Sequence, residues 1–85
     1  MINYQINVTG KAEKEYLKLP KKIQERVDRA LATLTLNPKI GKTLTGKFND
    51  CFSLRVWPYR VIYAIDLINK VVVILRIAHR KEVYR

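Results

Sequence analysis

Residues 51–78 read CFSLRVWPYRVIYAIDLINKVVVILRIA, and this stretch decides the fold. It divides into three runs of strand type, Cys51–Trp57, Tyr59–Asp66 and Lys70–Ala78. Each is rich in β-branched and aromatic residues, which fit a pleated, half-buried surface. Pro58 separates the first two runs and Leu67-Ile68-Asn69 the last two. Links that short join antiparallel neighbours, because a parallel pair needs a crossover of about a dozen residues or more.

Alternation along a strand then sorts the side chains onto two faces. Phe52, Leu54 and Val56 form one set, joined by Tyr59, Val61, Tyr63 and Ile65 and by Val71, Val73, Leu75 and Ile77. This is the expected core face. The other face receives Arg55, Arg60 and Arg76, together with Ile62, Val72 and Ile74. A guanidinium is a planar fork of donors that matches phosphate geometry. A mixed cationic and apolar face suits a cleft that clamps a nucleic-acid backbone and stacks bases, with Trp57 and Tyr84 as stacking surfaces.

Upstream, residues 2–7 alternate Ile2, Tyr4 and Ile6 with Asn3, Gln5 and Asn7, the pattern of a half-buried strand. Thr9 is placed to cap a helix over Lys11–Leu19. Pro20 opens a second helix, in whose first turn a missing N–H costs nothing. Its stripe of Ile23, Val27, Ala30, Leu31 and Leu34 keeps helical spacing. Asn37-Pro38 ends it, since the residue before proline avoids the α region. The pair makes an αα-hairpin. Residues 38–50 are a basic connector containing Gly41 and Gly46, with a short strand expected over Thr43–Phe48. The fold class is therefore α+β: an N-terminal strand, an αα-hairpin, then an antiparallel sheet of three to four strands with the helices on one face. At 85 residues the expected organisation is one domain, 1–85.

Seventeen Lys and Arg against seven Asp and Glu give a net charge of +10, which calls for a polyanionic or acidic partner. From Cys51 onward seven basic residues face only Asp66 and Glu82, too few acids for a structural salt-bridge network. One cysteine, Cys51, excludes an internal disulfide or a thiolate cluster, and His79 has no second histidine with which to share a metal. No metal or cofactor is expected. The start of the chain lacks the apolar core of a signal peptide, and the longest apolar runs are far too short to span a bilayer. A cytoplasmic protein without a membrane partner is the expectation.

Tyr59-Arg60-Val61-Ile62-Tyr63, the valine-rich run from Val71, and the closing His79-Arg80-Lys81-Glu82-Val83-Tyr84 together resemble the RelE family of bacterial and archaeal toxins, within the RelE/ParE superfamily. Cys51-Phe52-Ser53-Leu54-Arg55 and the Leu19-Pro20 junction fit the same order, so the resemblance spans nearly the whole chain. It implies a compact, microbial-ribonuclease-like sheet carrying two helices. It further implies the toxin of a type II toxin–antitoxin system. The activity would be metal-independent, ribosome-dependent cleavage of mRNA in the ribosomal A site, by 2′-OH attack on the adjacent phosphate. A RelB-like antitoxin with a wrapping helix would hold the protein inactive.

Carried onto this sequence, the resemblance assigns catalysis to Arg55, Arg60, Arg80 and Tyr84. Arg60 and Arg80 would stabilise charge on the phosphate, Arg55 would bind phosphate or assist the leaving group, and Tyr84 would transfer a proton, orient the nucleophile or stack on a base. RNA binding falls to Lys47, Ser53, Arg76, His79, Lys81 and Arg85. Ser53 stands where many RelE toxins carry a lysine, a loss for which Lys47 or His79 would compensate. The interval from Arg80 to Tyr84 is shorter than in some members. Two other readings stay open: a ParE-like poison of DNA gyrase without nuclease activity, and a non-catalytic RNA-binding relative.

Overall fold

The computed structural model describes residues 3–44 and 50–83. The elements run β1 (Gln5–Val8), α1 (Gly10–Leu17), α2 (Lys21–Leu36), a 3₁₀ turn (Pro38–Ile40), β2 (Lys42–Thr43), β3 (Phe52–Val56), β4 (Tyr59–Asp66), β5 (Val71–His79) and α3 (Arg80–Val83). The α+β class holds. The sheet has five strands in the order β1-β5-β4-β3-β2. The β2–β3, β3–β4 and β4–β5 pairs are antiparallel, as the short links require. The first strand departs from the all-antiparallel expectation. It lies parallel to β5, with Gln5 opposite Val71 and Val8 opposite Ile74. The long crossover that a parallel pair needs is everything between them. The strand expected over Thr43–Phe48 begins one residue earlier, as β2, and its part from Thr45 onward falls outside the described residues.

Thr9 caps α1 as expected: its hydroxyl accepts from the Ala12 N–H at 3.3 Å and donates to the Ile74 carbonyl at 2.9 Å. One side chain thus satisfies a helix end and fastens it to β5. Pro20 sits at the N-cap of α2, its carbonyl accepting from the N–H groups of Ile23 and Gln24. The α2 stripe buries Val27 and Leu34 completely and packs Ile23, Ala30 and Leu31 around them. These meet Phe52, Leu54, Val56, Val61, Tyr63 and Ile65 on the sheet, together with Ala12 and Tyr16 of α1.

In β5 the expected parity fails, for a local reason. Ile62 pairs with Arg76 while Tyr63 pairs with Ile74, so Leu75 has no residue opposite it. An extra residue of this kind resets the alternation. Val72 and Ile74, expected on the arginine face, are fully buried in the main core with Ile77. Leu75, expected in that core, packs instead with Ile62, Ala78, Leu44 and Cys51 on the opposite face. Ile62 is itself completely buried there. The apolar part of the expected mixed face is therefore a second small core, not a stacking surface.

Tyr63 ties the connector to the sheet. Its ring stacks on Phe52, and its hydroxyl donates to the Pro38 carbonyl at 2.7 Å and accepts from the Gly41 N–H at 2.9 Å. A Cβ on Gly41 would meet that hydroxyl at 2.5 Å and the Ser53 carbonyl at 2.9 Å, so glycine is needed for the close approach. At the β4–β5 turn the Asp66 carboxylate accepts from the N–H groups of Asn69 and Ile68 and from the Asn69 side chain. Those bonds, Asn69's first, hold its carboxyl below the usual range.

Candidate nucleic-acid interface at the β3–β4 hairpin

The two-residue turn Trp57-Pro58, with a cis peptide between them, sets Arg55 directly opposite Arg60. The ladder continues from Arg60 to Ala78, so both arginines leave the sheet on the face away from α1 and α2. Arg55 is exposed, whereas Arg60 is half-buried and donates from Nη1 to the Ser53 hydroxyl at 3.2 Å. Ser53, almost fully buried, is thus a prop for Arg60. A lysine could not accept that bond.

Arg80 joins the group from the first position of α3. Its N–H donates to the Pro58 carbonyl at 2.8 Å, which fastens the end of β5 to the hairpin turn. Its guanidinium lies 4.8 Å from the centroid of Trp57, and that of Arg55 lies 5.6 Å from the same ring. The Trp57 carbonyl in turn accepts from Arg26 of α2 at 2.7 Å. Three arginines distant in sequence therefore gather round one hairpin turn.

The remaining expected residues divide. Arg76 is held by Glu15 of α1, which accepts from its Nε at 3.0 Å and its Nη2 at 2.8 Å, and from the Ile77 N–H at 2.9 Å. Glu15 does for β5 what β1 does one turn earlier: it satisfies the strand edge beyond the end of the parallel pair. Arg76 is thereby engaged away from the hairpin. His79 pairs with Tyr59 on the helix side of the sheet, their rings edge to face at 5.5 Å. Its Nδ1 accepts from the Lys81 N–H at 3.2 Å, which leaves a neutral ring's proton on Nε2. His79 thus points to the opposite face from Arg55 and Arg60. Lys81 is exposed on α3. Lys47, Tyr84 and Arg85 lie outside the described residues.

Burial, with Asp50 adding to it, pushes the Cys51 thiol up, away from the thiolate form. Among the described residues no group of three or more His, Cys, Asp or Glu is placed to hold a metal ion. No helix among them is long and apolar enough to cross a membrane. Sequence reasoning missed Glu15, Arg26 and α3. Only Trp57 carried a signal: it is the sole tryptophan, beside a proline, in the turn between two arginine positions.

Comparison with known proteins identifies the family. The model of the family described as the ParE toxin of type II toxin–antitoxin systems, parDE, matches residues 6–84. The chain belongs to this toxin family. Toxin RelG of Mycobacterium tuberculosis is 37% identical over 84 residues, covering 96% of this chain and 97% of RelG. Toxin RelE of the same organism is 36% identical, over 96% of this chain and 87% of its own. Among solved structures, the toxin–antitoxin complex RelBE2 from M. tuberculosis contains a chain that superposes with a TM-score of 0.84 at 36% identity. That match covers 93% of this chain and 100% of the other. A chain of the archaeal RelE–RelB complex from Pyrococcus horikoshii superposes at 0.77 with 26% identity, covering 95% and 99%. The protein is a type II toxin of the RelE/ParE superfamily, as the motif order implied.

Proposed function

We propose that this toxin is a metal-independent, ribosome-dependent mRNA endonuclease, acting as one domain over residues 1–85. The observation that carries this reading is the convergence of Arg55, Arg60 and Arg80 on one hairpin turn. Arg55 and Arg80 share the ring of Trp57, and Arg60 is propped by the Ser53 hydroxyl. Guanidiniums gathered at one turn suit a reaction whose difficulty is charge on phosphate oxygens. In cleavage by the neighbouring 2′-OH, the hydroxyl oxygen attacks phosphorus, its proton departs, and the 5′-oxygen leaves with a proton. Arg60 and Arg80 stabilise the equatorial oxygens of the phosphorane, and Arg55 binds phosphate or assists the leaving oxygen. An arginine does not act as a base, so Tyr84 is assigned the proton transfer or the orientation of the nucleophile. Lys47, Lys81 and Arg85 extend the contact along the RNA.

The partners on this reading are mRNA in the ribosomal A site and, in the resting state, a RelB-like antitoxin with a wrapping helix. The compartment is the cytoplasm, where these partners meet. The name carried by the matching family favours a second reading, a gyrase-directed toxin without nuclease activity. Induction of the protein in cells, with mapping of mRNA 5′ ends, separates them, supported by purified mRNA with and without ribosomes. The expected result is arrested translation and cuts only on ribosome-bound mRNA. Intact mRNA accompanied by DNA damage would establish the gyrase reading instead.

A further inference from the structure

We propose that Trp57 is a positioning residue, whose ring holds the guanidiniums of Arg55 and Arg80 together for one RNA phosphate without neutralising either. This rests on the nuclease reading above and names what assembles its site.

The need arises from electrostatics. Arg55 comes from β3 and Arg80 from the start of α3, and two like charges brought together repel. Each guanidinium is also on a flexible stem. A carboxylate between them would hold them in place, as Glu15 holds Arg76, but it would also cancel charge that the phosphate is to meet. An aromatic face attracts a cation through its quadrupole and carries no net charge. Trp57 lies within 5.6 Å of one guanidinium and 4.8 Å of the other, and it is their shared neighbour.

The ring is itself held by the backbone. The Trp57 carbonyl is fixed by Arg26 of α2 at 2.7 Å, and the adjoining Pro58 carbonyl by the Arg80 N–H at 2.8 Å. The residue remains 47% exposed, so it is not a core residue. Leucine and phenylalanine both keep apolar bulk at this half-exposed turn position, and a variant is expected to fold.

The test compares wild type, Trp57→Phe and Trp57→Leu in cleavage of mRNA-programmed ribosomes, with Arg60→Ala as the inactive control. Phenylalanine keeps a π face and leucine keeps only apolar bulk. Trp57→Leu is expected to lower kcat roughly tenfold with KM for the ribosomes little changed, and Trp57→Phe to recover most of the loss. A raised KM with unchanged kcat would make Trp57 a docking contact and overturn the proposal. So would equal activity of the two variants, whether both like wild type or both impaired.

Because Trp57 is the sole tryptophan, its emission in the free protein reads the contact directly. Arg55→Ala and Arg80→Ala are each expected to change it, and an unchanged spectrum in both overturns the geometry whatever the activity. A wild type that cuts no ribosome-bound mRNA defeats the nuclease reading. Wild-type cleavage by Trp57→Leu beside an inactive Arg60→Ala defeats the positioning role alone.

Discussion

Arg76, near the end of β5, and Arg80, at the start of α3, are held in opposite ways. Arg76 is gripped by the carboxylate of Glu15, in a half-buried pair that also seals the open edge of the strand. Arg80 lies against the uncharged ring of Trp57 and is exposed. The first arrangement uses an arginine as structure: its charge is matched, and its loss would leave a carboxylate and a backbone N–H to readjust. The second keeps the charge available. A count of basic residues treats the two alike, yet only the contact partner tells which one remains free to meet a phosphate.

The sharpest break in this contrast is expected from the hairpin side. Arg60→Ala and Arg80→Ala should each lower cleavage of ribosome-bound mRNA by roughly 10²–10³-fold, the usual loss for one group that stabilises transition-state charge. Arg80→Ala should shift the thermal midpoint by no more than about 4 °C, since exposed substitutions change stability little. Full activity in both variants, by cleavage mapping, would remove the site.

Next comes the structural side. Glu15→Ala leaves the Arg76 guanidinium and the Ile77 N–H without their acceptor, at a cost of about 1–3 kcal/mol. Calorimetry should show the midpoint falling by roughly 4–20 °C, while activity per folded molecule is retained. Replacing both Glu15 and Arg76 by methionine should recover part of that loss, because removing a partly buried pair together is less costly than orphaning one partner.

Tyr63→Phe should cost about 1–2 kcal/mol through the lost bonds to Gly41 and Pro38, and it adds a pH signature. Burial raises the Tyr63 phenol above its ordinary value of 10.0, with the Gly41 N–H opposing. The folded state therefore keeps the proton after the unfolded chain has released it. The stability that this contributes is fully present below pH 10 and is lost as pH rises through the folded value. Urea titrations between pH 9 and 11 should show a steeper loss in wild type than in Tyr63→Phe. The smallest effect is expected from Ser53→Ala, which removes the acceptor for Arg60: a severalfold loss of cleavage with stability changed by about 1 kcal/mol or less.

Much of this molecule was legible in its sequence, and the failures are instructive. The helix cap at Thr9, the start of α2 beside Pro20, its apolar stripe and the three C-terminal strands all follow from local chemistry. Position 75 does not. In the run Val71–Leu75 every residue is apolar, so nothing in the pattern marks where a bulge resets the faces, and Val72 and Ile74 were put on the wrong side. The parallel seat of β1 is equally silent, because strand alternation says nothing about which neighbour a strand will choose. At the site, Arg55 and Arg60 could be paired across a two-residue turn, whereas the fate of Arg76 depended on Glu15, a partner far away in sequence.

The parallel seating of β1 bears on how the protein comes to exist. Gln5 to Val8 are synthesised long before their partners, which begin at Val71. The helices and the β3–β4 hairpin involve nearer neighbours and are free to form early, but β1 must wait until β5 has been made. Thr9, which caps α1, also bonds to Ile74, so the first helix completes its attachment at that same late moment. Pairings this distant in sequence are slow to close. Of the five strands, the earliest made is the last to be locked in place.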